Sequence, residues 1–268
     1  MTGRPGELPR RRWSTVVAAA VLLAAVALAV TGPWLAPNDP AQSLGRPFDP
    51  EGVGLLGTEA LGRDLWSRLL HGGRRLVFAP LLITLASTLV GTVVGVLRAT
   101  DGRAVRALRL IDIVAVLPPL VVVLVLLYRF GGSLLVIGLA VIITSVPIVS
   151  RYTRAVARPI LQSGYVLQAR LMGDPRHVIL VRDIAPNLVG PAIADSALRL
   201  SGTFYVVTAA GFLGFGTSGS IDWAAMIQQN LAGAKLNPLA VAAPALAIAA
   251  LTVPLNVLGD RLAARLAR

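Results

Sequence analysis

Long stretches of this chain contain no Asp, Glu, Lys or Arg, among them Leu76 to Leu97, Phe130 to Ser150, Leu200 to Ile221 and Leu236 to Gly259. Roughly 20 such residues, at about 1.5 Å rise each, cross a hydrocarbon core of about 30 Å. Lipid offers no hydrogen bonds to the backbone, so segments of this kind span it as helices. Composition points the same way. The chain is 55% hydrophobic and 14% charged, against about 25% charged in a soluble domain. The fold class is an all-α polytopic membrane protein.

Further apolar runs raise the expected number of spans to six, near Trp13–Thr31, Leu76–Leu97, Leu110–Tyr128, Ser133–Ser150, Leu188–Gly211 and Leu239–Gly259. The first follows Arg10, Arg11 and Arg12 and contains Ala27-Leu28-Ala29, which is also the pattern of a removable secretory signal. A chain with five further spans has little need of one, so residues 13–35 are read as a transmembrane helix behind a basic N-terminus, 1–12. Residues 36–75 then form an external segment. Residues 76–268 form a core of five helices with a cytoplasmic loop at 151–187.

Charge sets the orientation. With six spans both termini share a side. That side collects Arg4, Arg10–Arg12, Arg98, Arg103, Arg106, Arg109, Arg151, Arg154, Arg158, Arg170, Arg176, Arg182, Arg261, Arg265 and Arg268, 17 of the 25 basic residues. The other side holds Arg46, Arg63, Arg68, Arg74, Arg75, Arg129 and Lys235, and Arg199 falls within a span. Cytoplasmic loops carry the excess of Lys and Arg, so both termini are expected in the cytoplasm. The net charge of +12 then reflects residues flanking membrane spans and facing anionic lipid, and nucleic-acid binding is not expected.

Chemistry-bearing residues are few. There are no cysteines, which excludes disulfides, thiolate metal sites and cysteine nucleophiles. The two histidines, His71 and His177, fall on opposite sides of the membrane in this topology and cannot share a metal. Lys235 is the only lysine, and no phosphate-cradling Gly-x-x-x-x-Gly precedes it. Any ATP that powers this chain is therefore hydrolysed by another, and no cofactor is expected here. Gly72-Gly73 and Gly131-Gly132 lie at span edges, where close packing or a turn accounts for them.

Between the first two spans lies a polar block, Leu56-Gly-Thr-Glu-Ala-Leu-Gly-Arg-Asp-Leu-Trp-Ser-Arg-Leu-Leu-His-Gly-Gly-Arg74. Gly57 and Gly62 punctuate it, and Leu61, Leu65, Leu69 and Trp66 fit one helical face. Arg63 and Asp64 suit capping or local pairing; contact with a delivery protein is the sharper alternative. In the loop from Arg151 to Asn187, Tyr165-Val-Leu-Gln-Ala-Arg-Leu-Met-Gly-Asp-Pro175 reads as a short helix stopped by glycine and proline. Periodicity leaves two roles open for it: docking to a partner or lying on the lipid surface.

Ionisable residues within spans are costly, at about 2.5–3.5 kcal/mol each at the bilayer centre on insertion scales, and therefore face protein or water. Asp112 lies three residues after Arg109, suiting a local ion pair or a helix end. Asp195 and Arg199, at i and i+4, share a helix face and can pair, either at a subunit interface or along a translocation pathway. Pro118-Pro119, Pro147, Pro191, Pro244 and Pro254 remove backbone bonds and permit bends.

The polar block closely resembles Gly-Thr-Asp-x-x-Gly-Arg-Asp…Ser-Arg…Gly-x-Arg of the C-type membrane subunits of dipeptide, oligopeptide and nickel ABC importers. Gly57, Thr58, Gly62, Arg63, Asp64, Ser67 and Arg68 carry the match. Four more blocks follow the family order. Trp34-Leu-Ala-Pro-Asn-Asp-Pro40 resembles Leu-Ala-Pro-Tyr-Asp-Pro. Tyr165, Ala169, Arg170, Gly173 and Asp174, with Pro186 13 residues after Gly173, fit the cytoplasmic Glu-Ala-Ala-x-x-x-Gly motif. Ala210–Gly216 with Asp222–Met226, and Leu255–Asp260, complete the set. Departures are Leu167 and Gln168 for Glu and Ala, Glu59 for Asp, Leu76 for Ser, and Val207 where an acidic residue is usual.

The resemblance implies a type I ABC importer permease in a bacterial inner membrane, forming half of a pathway for peptides or a related small solute. It implies a homologous B-type permease, two ATPase subunits or domains that bind ATP and Mg, and an extracytoplasmic substrate-binding protein as partners, besides membrane lipid. It makes Tyr165–Asp174 the coupling helix seated in an ATPase groove, without the glutamate's contacts. A stand-alone ion-coupled secondary transporter is the alternative; it would have only Asp112 and Asp195 as intramembrane carboxylates, and no inverted repeat is evident.

Overall fold

The computed structural model describes residues 8–100, 111–114, 117–215 and 221–266. Arg4, Arg103, Arg106, Arg109, Gly216 and Arg268 lie outside the described residues. Regular structure among the described residues is helical, with two isolated antiparallel bridges, Ser43 to Arg63 and Thr58 to Asp64. The long helices are α1 (Leu8–Leu35), α2 (Leu65–Thr100), α5 (Leu134–Leu161), α8 (Ala185–Phe212) and α10 (Leu239–Leu266). Shorter ones are α3 (Ile111–Val114), α4 (Pro119–Phe130), α6 (Gly164–Leu171), α7 (Arg176–Ile179) and α9 (Trp223–Asn230).

Among the described residues, four helices, α1, α2, α5 and α10, are long and apolar enough to cross a membrane. The 28 residues of α8 reach about 42 Å at 1.5 Å per residue, also enough to span, although Asp195 and Arg199 dilute its apolar character. Span three departs from expectation. Instead of one helix over Leu110–Tyr128, α3 ends at Val114 and the 12-residue α4 starts at Pro119. Pro118 has ψ 124°, because a residue preceding proline is forced out of the helical region. Pro119 then opens α4 at a position where its missing N–H costs nothing.

The second span also starts earlier than expected. The second half of the polar block, from Leu65 to Arg74, supplies the first three turns of α2, and only Leu56 to Asp64 precedes it. Leu61 accordingly lies in the turn before the helix and is exposed, whereas Leu65 and Leu69 are buried. The stretch 151–187 is largely helical too: α5 continues to Leu161, and α6, α7, a π-turn over Leu180–Ile184 and the start of α8 follow.

The chain forms two compact units. One comprises Met1–Pro80, Gly132–Leu134 and Val207–Asp260; the other comprises Leu81–Gly131, Leu135–Val206 and Arg261–Arg268. In the second unit α2 and α5 approach closely through small residues. A Cβ on Gly95 would stand 2.6 Å from Thr153 Cβ, and one on Gly91 would strike Val149. Its buried cluster, Ala157, Val166, Ala169, Ile179, Ile184 and Leu188, draws on α5, α6, α7, the π-turn and α8.

Candidate functional site

In the first unit, the polar block between α1 and α2 is an interior. Thr58, Glu59, Asp64 and Ser67 are fully buried and Arg68 is nearly so. Gly57 and Gly62 take positive φ. A Cβ on Gly62 would collide with the Gly45 carbonyl, and the Gly62 carbonyl accepts from the amides of Leu44 and Gly45 at 2.8 and 3.0 Å. The Thr58 hydroxyl donates to the Arg46 carbonyl at 2.5 Å and accepts from the Asp49 amide at 2.9 Å.

Asp64 is the cap of α2. Its carboxylate accepts from the Trp66 amide at 3.1 Å, the Ser67 amide at 3.3 Å, the Ser67 hydroxyl at 2.6 Å and Asn38 Nδ2 at 3.0 Å. A carboxylate here satisfies orphan amides of the first turn and complements the helix dipole. Glu59 pairs with Arg63 through Oε1, and its Oε2 lies 3.0 Å from Arg68 Nε. These side chains fold the segment, with Thr58, Glu59, Asp64 and Ser67 buried within their own chain.

Asn230 and Asn237, which sequence reading did not single out, complete this interior together with Trp223 and Asp222 of the Asp222–Met226 block. Asn230, fully buried at the end of α9, accepts from the Ala60 amide at 3.0 Å and donates to the Met226 carbonyl at 2.8 Å. Asn237 donates to the carbonyls of Leu56 and Thr58, both at 3.1 Å. Neither carries a local signal, since each reaches a segment about 170–180 residues away. Trp223 donates its indole N–H to the Leu69 carbonyl at 2.6 Å. The Gly72-Gly73 pair makes room for it: a Cβ on Gly73 would stand 2.7 Å from Trp223 Cζ2 and 2.6 Å from Ala29 Cβ. Asp222 caps α9 through the Ala224 and Ala225 amides at 2.8 and 3.4 Å. Burial pushes its carboxyl above the usual range, against the pull of the capped amides and Arg75.

In the second unit, α6 holds three of the six sequence-predicted coupling residues, Tyr165, Ala169 and Arg170, and Gly173 and Asp174 follow directly after it. Val166 and Ala169 face the buried cluster, while Tyr165, Leu167, Leu171 and Met172 are exposed on the opposite side. Gly173 ends the helix at φ +88°. The Asp174 amide bonds to the Ala169 carbonyl and the Gly173 amide to the Arg170 carbonyl, both at 3.1 Å, the double closure of a Schellman stop. Nothing crowds a Cβ at Gly173, so backbone conformation alone calls for glycine there.

Arg182 ties the segment together. It donates to Asp174 Oδ2 at 2.6 Å and to Asp183 Oδ1 at 3.1 Å. These two carboxylates, Asp183 foremost, raise its basicity further. Asn187, beside Pro186 in the first turn of α8, donates to the Tyr165 hydroxyl at 3.4 Å and to the Asp183 carbonyl at 2.7 Å. Tyr165, Asp174 and Pro186 thus belong to one fastened turn.

The intramembrane charges fall into two groups. Asp112 on α3 receives Arg98 of α2 at 2.5 Å and Arg151 of α5 at 3.2 Å, and Arg98 also donates to the Ser150 hydroxyl at 2.9 Å. The expected local partner, Arg109, lies outside the described residues, and the pairing found is with α2 and α5. Asp195 and Arg199 form a two-point ion pair at 2.5 and 3.0 Å along α8. The Tyr152 hydroxyl, which sequence reading missed, donates to the Pro191 carbonyl at 3.5 Å, one turn before Asp195.

Comparison with known proteins places this arrangement. The family described as binding-protein-dependent transport system inner membrane component matches residues 87–268. The Pseudomonas aeruginosa di/tripeptide transport system permease protein DppC is 31% identical over 90% of this chain and 83% of its own length. The Escherichia coli probable D,D-dipeptide transport system permease protein DdpC is 29% identical over 92% of this chain and 84% of its own. In structure, a chain of the inward-facing MetNI methionine ABC transporter aligns with a TM-score of 0.54 at 15% identity, covering 75% of this chain and 97% of that one. The fold is that of an ABC importer permease, and the ion-coupled alternative falls with it. The chain belongs to the family of binding-protein-dependent transport inner membrane components and is a permease subunit of an ATP-binding-cassette importer.

Proposed function

We propose that this permease forms half of the translocation pathway for peptides or a related small solute, in a bacterial inner membrane with both termini in the cytoplasm. The observation that carries the solute class is the match, over nine-tenths of the chain, to relatives named for di- and tripeptide and D,D-dipeptide transport. A homologous B-type permease supplies the other half. Two ATPase subunits or domains bind ATP and Mg, and an external binding protein delivers the solute. The chain itself catalyses no reaction.

In this reading α6 is the coupling helix. It is anchored on one face and apolar on the other, so a partner pulling on it moves the turn fastened by Arg182 and with it the start of α8. Leu167 stands where the family has its glutamate and Gln168 where it has alanine, leaving packing by Leu167, Leu171 and Met172 to seat it. Asp195 and Arg199 lie farther along the same helix, where a shift of α8 alters their access to the pathway. Asp112 holds α3 to α2 and α5 during that shift.

Purification of the tagged chain from its native membrane in mild detergent tests the assembly. A second permease and P-loop ATPases should co-purify, and uptake in proteoliposomes should require ATP. Uptake by the isolated chain that an uncoupler collapses would overturn the proposal.

A further inference from the structure

Two adjoining cavities in the second unit have complementary chemistry. The first, about 410 Å³, is lined almost wholly by apolar side chains, Val93, Val96 and Leu97 of α2 facing Leu188, Val189 and Ala192 of α8. The second, about 360 Å³, holds Arg170, Asp174, Arg176 and Thr100. Leu180 and Ile184 line both, so the two compartments share a wall. That wall is the π-turn Leu180–Ile184, a local form that concentrates at functional sites.

Depth orders the pair. The apolar compartment borders the last turns of the charge-free run that ends at Leu97, and the polar one begins just past Arg98, at Thr100. Charge is unbalanced in the polar compartment. Its carboxylate, Asp174, is already held by Arg182 at 2.6 Å, while Arg170 and Arg176 are exposed and form no ion pair among the described residues. An occupant that satisfies both compartments has an apolar tail toward the membrane interior and an anionic head at its edge.

We propose that these compartments form one site for an anionic phospholipid of the adjoining leaflet. An acyl chain lies between α2 and α8, and the phosphate faces Arg170 and Arg176. Basic pockets between membrane helices are suited to such headgroups. The site abuts α6 through Arg170, so bound lipid stiffens the segment to which a partner would dock.

The test titrates phosphatidylglycerol or phosphatidylcholine of matched chains into the full-length chain, delipidated in neutral detergent, with retained lipid read by native mass spectrometry. Phosphatidylglycerol should bind more tightly, and Arg170→Gln with Arg176→Gln should weaken it about 30-fold, from two surface charges. Ala192→Trp, which fills the apolar compartment and leaves both arginines in place, should abolish retention independently. Thermal unfolding of each variant before lipid addition checks that it is folded. Equal retention of the two lipids, or unchanged phosphatidylglycerol affinity in either variant, would overturn the proposal. Displacement of phosphatidylglycerol by an equal concentration of inorganic phosphate would replace it with a simple anion site.

Discussion

Glu59 offers the sharpest test of the interior that the polar block forms. It is fully buried, its Oε1 engaged by Arg63 and its Oε2 3.0 Å from Arg68 Nε. Arg63 retains a route to water at 19% side-chain exposure, but Arg68 has 5%. Glu59→Ala therefore strands the Arg68 charge. Breaking a buried pair from one side costs about 3–5 kcal/mol, and the one lost methylene adds about 0.8 kcal/mol. The change reaches the amides of Leu44, Gly45 and Phe48, which bond to the Gly62 and Glu59 carbonyls. Hydrogen exchange on the detergent-solubilised chain should show protection at those amides falling at least about 100-fold, since about 1.4 kcal/mol is tenfold. Replacing both partners, Glu59→Leu with Arg68→Met, should recover most of the loss, because an apolar pair of similar volume leaves no charge behind. Protection in Glu59→Ala within about threefold of wild type (under ~1 kcal/mol), or a double variant worse than the single, would refute the buried-pair account.

Asp222→Asn keeps the oxygen that caps α9 but removes a desolvated charge. The Asp222 pKa is raised on folding, so its contribution to stability is present below the ordinary value of 3.8 and is lost as pH rises through the folded value. Melting curves across that window should therefore show the variant gaining on wild type with rising pH; wild type gaining instead would be the contrary result. Gly73→Ala places a methyl against Ala29 and Trp223 and should cost about 1–3 kcal/mol by overpacking. Gly202→Ala in α8, with open space around it, should be neutral or stabilising by up to about 1 kcal/mol; denaturant titration compares the two. Asp195→Asn should lower solute uptake while leaving abundance and co-purifying subunits unchanged; loss of assembly would make the Asp195–Arg199 pair structural.

Local chemistry is legible in the sequence wherever a short-range rule fixes it. Gly173 and Pro175 mark the end of α6 because a left-handed stop and the proline after it are determined within a few residues. The apolar runs announce α2, α5 and α10 because lipid demands them. The break at Pro118 is the reverse case: apolar character continues through it, and only the steric demand of Pro119 on its predecessor turns Pro118 out of the helical region. The partners of Asp112 are not legible, since Arg109 is close in sequence while Arg98 and Arg151 arrive on other helices. Glu59 reads as a departure from the usual Asp, yet its longer side chain sits fully buried between Arg63 and Arg68, which no spacing reveals. Asn230 and Asn237 are ordinary polar residues in the sequence and become structural pins only through contacts with the far end of the chain.

The exposed side of α6 has a thermal consequence. Leu167, Leu171 and Met172 offer a partner apolar surface, and the neighbouring carboxylates of Asp174 and Asp183 are occupied by Arg182. Screening by salt acts on exposed charges within about 10 Å at 0.1 M, so an ATPase held on this face would withstand high-salt washes that strip a charge-anchored one. Apolar association weakens on cooling. The same complex would therefore loosen in the cold, and transport would fall at low temperature more steeply than hydrolysis by the detached ATPase.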